Sequence, residues 1–439
     1  MGTIANSRII CPDEDDWRIL LQPKAVVTFS EIAIISIREP RGIRWSYPRR
    51  LSSMRFAFNS RLLLAVLCCL GAVANARAQK PASTPEVLRT PGGLTEVGLL
   101  DGAPYRIDVP ANWNHSLVVF YHGYWEQPAP FHIAERLNPQ ALPLYERHYA
   151  IVQSGYSQSG WALQQAYPET EALRRYFTKA YQQPRETYVA GGSMGGALVM
   201  VTLELNPKPY LGGLDICGAV GPTYEAFTRR FAWRAAFDFY FPGVLPPLVL
   251  SPPNFEESAA LREKVLAAIR TNPTAAANLR GLTGLHTDNE VARDMVYFTF
   301  VVADMQRRAG GNPFDNRNYL YSGTNPTSSA GDYALNDGVR RYAADPKARE
   351  YLIRHYTPSG HLGRPMLALH TLYDPLISPT TLSLYAHQVE MAGFGDNLVQ
   401  QYVHRDGHCT FTPEEVGRAF DELVQWTHGA PRPTPGLLR

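Results

Sequence analysis

ETYVAGGSMGGALVMVTLEL (186–205) decides how the rest of the chain is read. Its first half is apolar and β-branched, as a buried strand would be. Its second half has the small and straight-chain residues of a helix, and Asn206-Pro207 ends it. Between the halves lies Gly191-Gly192-Ser193-Met194-Gly195, a G-x-S-x-G pattern. A tight strand-to-helix turn lifts a serine hydroxyl above the carboxyl edge of a sheet, and flanking glycines relieve the crowding. The pattern alone is common in loops. A strand before it and a helix after it make Ser193 a candidate nucleophile.

On either side of this stretch, apolar strand-like runs alternate with helical ones. SLVVFYHG (116–123), HYAIVQSGY (148–156), LGGLDICGAV (211–220), RPMLALHTLYD (364–374) and NLVQQYVHRDG (397–407) read as strands. TEALRRYFTKAY (170–181), SPTTLSLYAHQVEMAG (378–393) and PEEVGRAFDELVQWTH (413–428) read as helices. Such alternation predicts an α/β fold, a mostly parallel sheet with helices on both faces. The alternation breaks between residues 221 and 363. Aromatic YEAFTRRFAWRAAFDFYF (224–241), a proline-rich turn and helical runs at 258–270 and 289–308 fill the gap. That stretch is too long and too apolar for a connection, so it reads as a largely helical insertion capping the core.

Two further residues complete a catalytic constellation. Asp374 follows the strand at 364–374, and His408 follows the one at 397–407. A carboxylate there orients a histidine, and the histidine takes the serine proton during attack. Asp215 is the alternative acid, and His404 and His370 are read as structural histidines. The backbone N–H groups of Tyr124, after His122-Gly123, and of Met194 are the expected oxyanion donors. His122, Gly123, Phe227, Phe231 and Trp233 are the candidate pocket residues, although the aromatic ones have an equally good reading as the insertion's own core. No histidine and carboxylate cluster has metal-ligand spacing, so neither a metal nor a cofactor is expected.

VAGGSMGGA, YHG, TLYDPLISP and GHCTF, with the order Ser, Asp, His, resemble a secreted α/β-hydrolase of the serine esterase type over residues 117–220 and 365–428. The GHC segment is also similar to tannases and feruloyl esterases, in which one cysteine follows the histidine and another precedes the serine. Here Gly192 stands before Ser193, a departure from that pattern. The resemblance implies hydrolysis of a small or oligomeric carboxylic ester through an acyl-enzyme. A prolyl-oligopeptidase-like peptidase shares core and triad order but usually carries a large extra domain before the core, for which residues 79–115 of the expected mature chain are too few. A non-catalytic hydrolase-like binding protein is the reading from another class, and such proteins tend to lose a triad residue.

Composition bounds the remainder. Of the 439 residues 45% are hydrophobic, enough for a large core and against disorder. The 42 basic and 40 acidic residues nearly cancel, which gives no basic field for nucleic acid. MRFAFNSRLLLAVLCCLGAVANARA (54–78) has the charged start, short apolar run and Ala-x-Ala end of a signal peptide. The apolar run is too short for a stable membrane span. The expected organisation is an upstream extension at 1–53, a signal peptide at 54–78, core at 79–220, cap insertion at 221–363 and core again at 364–439. The mature protein would be secreted or periplasmic. It would keep Cys217 and Cys409, which are expected to form a disulfide because both strands end at the same edge. Two buried thiols are the alternative.

Overall fold

The computed structural model of the chain describes residues 84–126, 131–252 and 254–438. The extension at 1–53 and the signal peptide at 54–78 lie outside the described residues.

A ten-stranded sheet is the frame, in the order β1-β2-β3-β5-β4-β6-β7-β8-β9-β10. Its strands are β1 (Glu86–Thr90), β2 (Gly93–Leu100), β3 (Ala103–Pro110), β4 (Leu117–Tyr121), β5 (Ala150–Ser154), β6 (Thr187–Gly192), β7 (Gly212–Ile216), β8 (Met366–Tyr373), β9 (Leu398–Asp406) and the short β10 (Gly436–Leu437). β1, β2 and β3 form an antiparallel meander that joins β5 antiparallel. From β5 to β10 every neighbouring pair is parallel. β4, β5, β6 and β7 are buried along their whole length, as strands covered on both faces must be.

Strand alternation sorts the core into two layers. Leu117, Val119 and Tyr121 of β4 face one layer, with Val189 of β6 and Ala368 of β8. Val118 and Phe120, with Tyr188, Leu214 and Leu369, face the other. The first layer is covered by α2 (Leu163–Ala180), α3 (Met194–Leu205) and α10 (Thr380–Met391). The second is covered by α1 (Leu142–Tyr145) and α11 (Pro413–Thr427). Phe420 of α11 packs edge-on against Tyr149 and Tyr188. This mixed, mostly parallel sheet, with a strand-to-helix turn at Ser193, is the α/β-hydrolase fold that the sequence predicts.

Between β7 and β8 the chain runs through six helices: α4 (Thr223–Tyr240), α5 (Ala259–Arg270), α6 (Pro273–Thr283), α7 (Asp288–Ala309), α8 (Ala330–Gly338) and α9 (Pro346–Tyr356). Local chemistry sets their ends. Ser258 and Asn272 accept the N-terminal N–H groups of α5 and α6, and Thr287 with Glu290 forms a capping box on α7. Gly284 and Gly310, with φ of 71° and 69°, end α6 and α7 in the left-handed conformation open to glycine. These helices are pinned to the core by buried polar contacts. Arg230 of α4 pairs with Asp294 of α7 and donates to the Pro375 and Leu376 carbonyls beyond β8. Asp304 of α7 accepts the Trp161 N–H at 2.9 Å.

Candidate active site

Sheet register explains why residues far apart in sequence meet. Tyr121 of β4 pairs with Gly191 of β6, so the turn after β4 lies beside the turn after β6. Tyr373 of β8 pairs with Asp406 of β9, so Asp374 and the His408 loop leave the sheet together. All four turns leave from the carboxyl edge of the parallel strands, where open α/β sheets form their crevices.

Ser193 occupies the turn with φ 57° and ψ −119°, outside the regions that side chains prefer. Surrounding bonds hold it there. Its N–H donates to the Ile216 carbonyl at 3.0 Å, and its carbonyl accepts from Gly196 and Ala219, each at 3.0 Å. The glycines make room for this. A Cβ at Gly195 would stand 2.1 Å from the Tyr121 carbonyl oxygen, a backbone atom with nowhere to go. At Gly192, before the serine, a Cβ would meet only the end of the Gln140 side chain, which can turn aside.

The Ser193 hydroxyl faces His408, with Oγ to Nε2 at 2.9 Å. The other ring nitrogen, Nδ1, lies 2.7 Å from Asp374 Oδ2. The second carboxylate oxygen accepts the N–H groups of Leu376 (2.8 Å) and Ile377 (2.9 Å). Burial works to raise the Asp374 pKa. The hydrogen bond and charge of His408, the Ile377 N–H and nearby His370 outweigh it and leave the carboxyl below its usual range. It is therefore an anion at neutral pH, and a fixed one. An Nδ1–H donating to that anion leaves Nε2 free to accept the serine proton. The histidine loop is held in turn. Gly407 donates its N–H to the Tyr373 carbonyl at 2.8 Å, and Thr371 Oγ1 donates to the Gly407 carbonyl at 2.9 Å.

The alternative residues lie elsewhere. Asp215 is fully buried in β7 beneath α3, packed so closely on Gly196 and Gly218 that a Cβ at either would be 1.9 Å from its Oδ1. Burial raises its pKa well above the carboxylate range. His370 approaches Asp374 Oδ2 only to 3.8 Å, and its burial lowers its pKa. His404 stacks on Tyr402 along β9, with ring centroids 6.3 Å apart.

Cys217 and Cys409 are joined in a disulfide with Cα atoms 5.3 Å apart. Among the described residues, these two cysteines and His408 are the one group whose ligand atoms lie close enough to share a metal. A metal needs thiolates, and both sulfurs here are already bonded to each other.

Ser193 opens into a cavity of about 630 Å³, counting the open space at its mouth. Tyr124 and Trp161 wall it from the core side, Phe227, Tyr297 and Phe298 from α4 and α7, and Leu376 from the turn after β8. Of the expected pocket residues, Phe227 is in this wall. Phe231 and Trp233 are not. Phe231 is wholly buried against Phe314 and Tyr342 inside the insertion, and Trp233 carries the guanidinium groups of Arg229 and Arg230 over its ring. Trp233, six residues beyond Phe227, stands on another side of α4, whereas Phe231, one turn beyond it, shares its side but is enclosed by Phe314 and Tyr342. Gly123 lies against the serine itself, since a Cβ on it would be 3.3 Å from Ser193 Cβ. The His122 ring faces away, stacked between Trp125 and Tyr156 with centroids 3.7 and 3.9 Å apart, and its Nδ1 meets the Gly123 carbonyl at 2.6 Å. Burial lowers its pKa to about 3 despite backbone hydrogen bonds at Gly123 and Gly155, so it is neutral and braces the loop. Sequence reasoning missed Trp161, Tyr297 and Phe298, for which no local motif exists.

No family model matches the chain, and no curated protein matches it. Solved structures do. Feruloyl esterase B from Aspergillus oryzae is similar over 82% of this chain and 90% of its own, at 11% identity and a TM-score of 0.49. Candida antarctica lipase A is similar over 81% and 84%, at 12% identity and a TM-score of 0.42. A mutant of the rice cell wall degrading esterase LipA from Xanthomonas oryzae is similar over 80% and 96%, at 12% identity and a TM-score of 0.40. The fold assignment stands on the sheet order and the turn at Ser193.

Proposed function

We propose that the chain is a serine hydrolase that cleaves carboxylic esters through an acyl-enzyme. The observation that carries this reading is the unbroken relay from Ser193 Oγ through the His408 ring to the Asp374 carboxylate, with contacts of 2.9 and 2.7 Å. Ser193 Oγ attacks the ester carbonyl carbon while its proton passes to His408 Nε2. The carbonyl π electrons move onto oxygen, and Asp374 stabilises the imidazolium as it forms. Collapse of the tetrahedral species breaks the bond to the alcohol, which takes the proton back from Nε2. Water then repeats the sequence on the acyl-serine.

The developing oxyanion is received by the N–H groups of Met194 and Tyr124. Met194 is the first residue of α3, where a helix has no acceptor of its own for the N–H, and the helix dipole there favours negative charge. Tyr124 follows Gly123, which lies against the serine. In this reading 79–220 and 364–439 form the catalytic core, and 221–363 is a cap that supplies one wall of the substrate cavity. The disulfide supports export into an oxidising compartment after cleavage near Ala78. No helix among the described residues is long and apolar enough to cross a membrane.

Turnover of aryl esters of graded acyl length, set against dipeptidyl amides, tests the ester assignment. Ester turnover with a preference for a particular acyl length supports it. Efficient amide cleavage with negligible esterase activity overturns it in favour of a peptidase.

A further inference from the structure

Two arginines of α4, Arg229 and Arg230, line the cavity beside Ser193, and they stand in different electrostatic positions. Arg230 is buried and paired with buried Asp294, so that site is internally neutral. It also sits 4.6 Å from the ring centre of Trp233 and 4.5 Å from that of Phe298. Arg229 has no such counter-charge. Among the described residues no carboxylate forms a salt bridge with it, including Glu225, one turn earlier on the same helix. Its guanidinium carbon lies 5.6 Å from the Trp233 ring centre, and its buried Nε has no hydrogen-bond partner.

A second donor in the same wall is also unmatched. Tyr124 Oη lines the cavity and is buried without a hydrogen-bond partner. No aspartate or glutamate is among the residues that line it, and the rest of the wall is mainly aromatic and aliphatic. The cavity is therefore apolar with one uncompensated positive charge and two idle donors. The two donor atoms are buried unpaired, which costs free energy, and a ligand that pairs them recovers it. A guanidinium presents its donors in a planar fork that fits a carboxylate.

We infer that this cavity takes esters that bear a second, anionic group, a carboxylate on an apolar or aromatic body, with Arg229 as the residue that selects for it. The Tyr124 hydroxyl is a further donor to the same substrate. This rests on the serine-esterase reading and adds the class of ester to it. The carboxylate has two sources, the acid half or the alcohol half of the ester, and the cavity's chemistry is the same for both.

Paired substrates that differ only in charge decide the matter. For the acid half they are 4-nitrophenyl hemiglutarate and its methyl ester, and for the alcohol half 4-(butyryloxy)benzoate and its methyl ester. Rates are corrected for spontaneous hydrolysis. The wild-type enzyme is expected to favour the carboxylate in one of the pairs by about tenfold or more in kcat/KM, the size of one charge-assisted hydrogen bond. In Arg229→Gln that ratio is expected to fall to about one or below, and Arg229→Lys is expected to keep part of it. A wild-type preference for the methyl esters in both pairs overturns the inference even if no variant folds. An undiminished ratio in a folded Arg229→Gln protein overturns it too. Turnover of neutral esters without charge preference removes this inference and leaves the esterase reading standing. Failure to turn over any of the four esters, with no labelling of Ser193 by a phosphonate, removes both.

Discussion

Cys217 and Cys409, separated by 192 positions in sequence, are joined by a disulfide that ties the residue after β7 to the residue after His408. Both have positive φ, 53° and 57°, a conformation that non-glycine residues adopt only when their surroundings hold them. Cys217 N–H donates to the Leu369 carbonyl at 2.8 Å, and Cys409 Sγ lies 3.4 Å from His408 Nε2. The bridge thus anchors the loop that carries the candidate base.

Removing that bridge is expected to cost activity before it costs fold. Closing a loop of this length restricts the unfolded chain by about 5 kcal/mol in the chain-entropy model. The parallel sheet beneath the loop has its own hydrogen-bond ladders. Reduction, or the paired Cys217→Ala and Cys409→Ala change, is therefore expected to lower the melting temperature and ester turnover while far-UV dichroism is retained. Titrating activity against reductant and counting alkylated sulfurs checks this. Full turnover with both sulfurs alkylated would contradict it.

Asp374→Asn is expected to reduce kcat by about 10⁴-fold, because the amide no longer fixes the imidazole as the right tautomer. Asp215→Asn is expected to act on stability instead, since Asp215 packs beneath α3 rather than against His408. Kinetics beside urea denaturation for both variants separates the two effects. An active Asp374→Asn enzyme together with a folded, inactive Asp215→Asn enzyme would move the acid to β7.

His122 gives stability a pH dependence of defined sign. Its pKa is near 3 in the fold and 6.5 without it. Between those values the unfolded chain binds a proton that the native protein refuses. This group's contribution is full above pH 6.5 and is lost as pH falls towards 3, at about 1.4 kcal/mol per unit. Asp215 acts in the opposite sense. Its raised pKa gives stability that is present at low pH and lost as pH rises through the folded value. The comparison must therefore be between wild type and His122→Phe, which keeps the stack on Trp125 and Tyr156. Urea denaturation at pH 5 and pH 7 is expected to show a shallower rise in stability with pH for the variant. Parallel lines for the two proteins would contradict the assignment of a buried neutral imidazole.

Where the chain is locally self-consistent, its sequence is sufficient. TYVAGGSMGGA places a strand, a turn and a helix in one stretch, and the structure puts β6, Ser193 and α3 there. The strands at 116–123, 364–374 and 397–407 appear within a few residues of their expected limits because unbroken apolar runs have few other uses in an α/β fold. The helix read at 170–181 begins earlier, at Leu163, and continues through Pro168. Burial of Leu163 and Ala166 overrides the proline that local reasoning treats as a boundary. The β1–β3 meander carries no comparable run, and its first strand is exposed throughout. The cavity wall was least legible. Phe227 and Phe298 lie 71 positions apart on α4 and α7, and only packing brings their rings within 6.3 Å. Arg229 and Arg230 are neighbours of identical type, and nothing in the sequence says that Asp294 neutralises one and leaves the other.

Everything proposed for this site depends on Ser193 being the attacking nucleophile. A fluorophosphonate probe reacts with a serine only where a base has activated it, and peptide mapping of the adduct names that serine. One stoichiometric adduct is expected on the peptide containing Gly191-Gly192-Ser193-Met194-Gly195, with loss of esterase activity in step with labelling and neither labelling nor turnover in a folded Ser193→Ala protein. An adduct on another serine, or turnover that survives in Ser193→Ala, would contradict it.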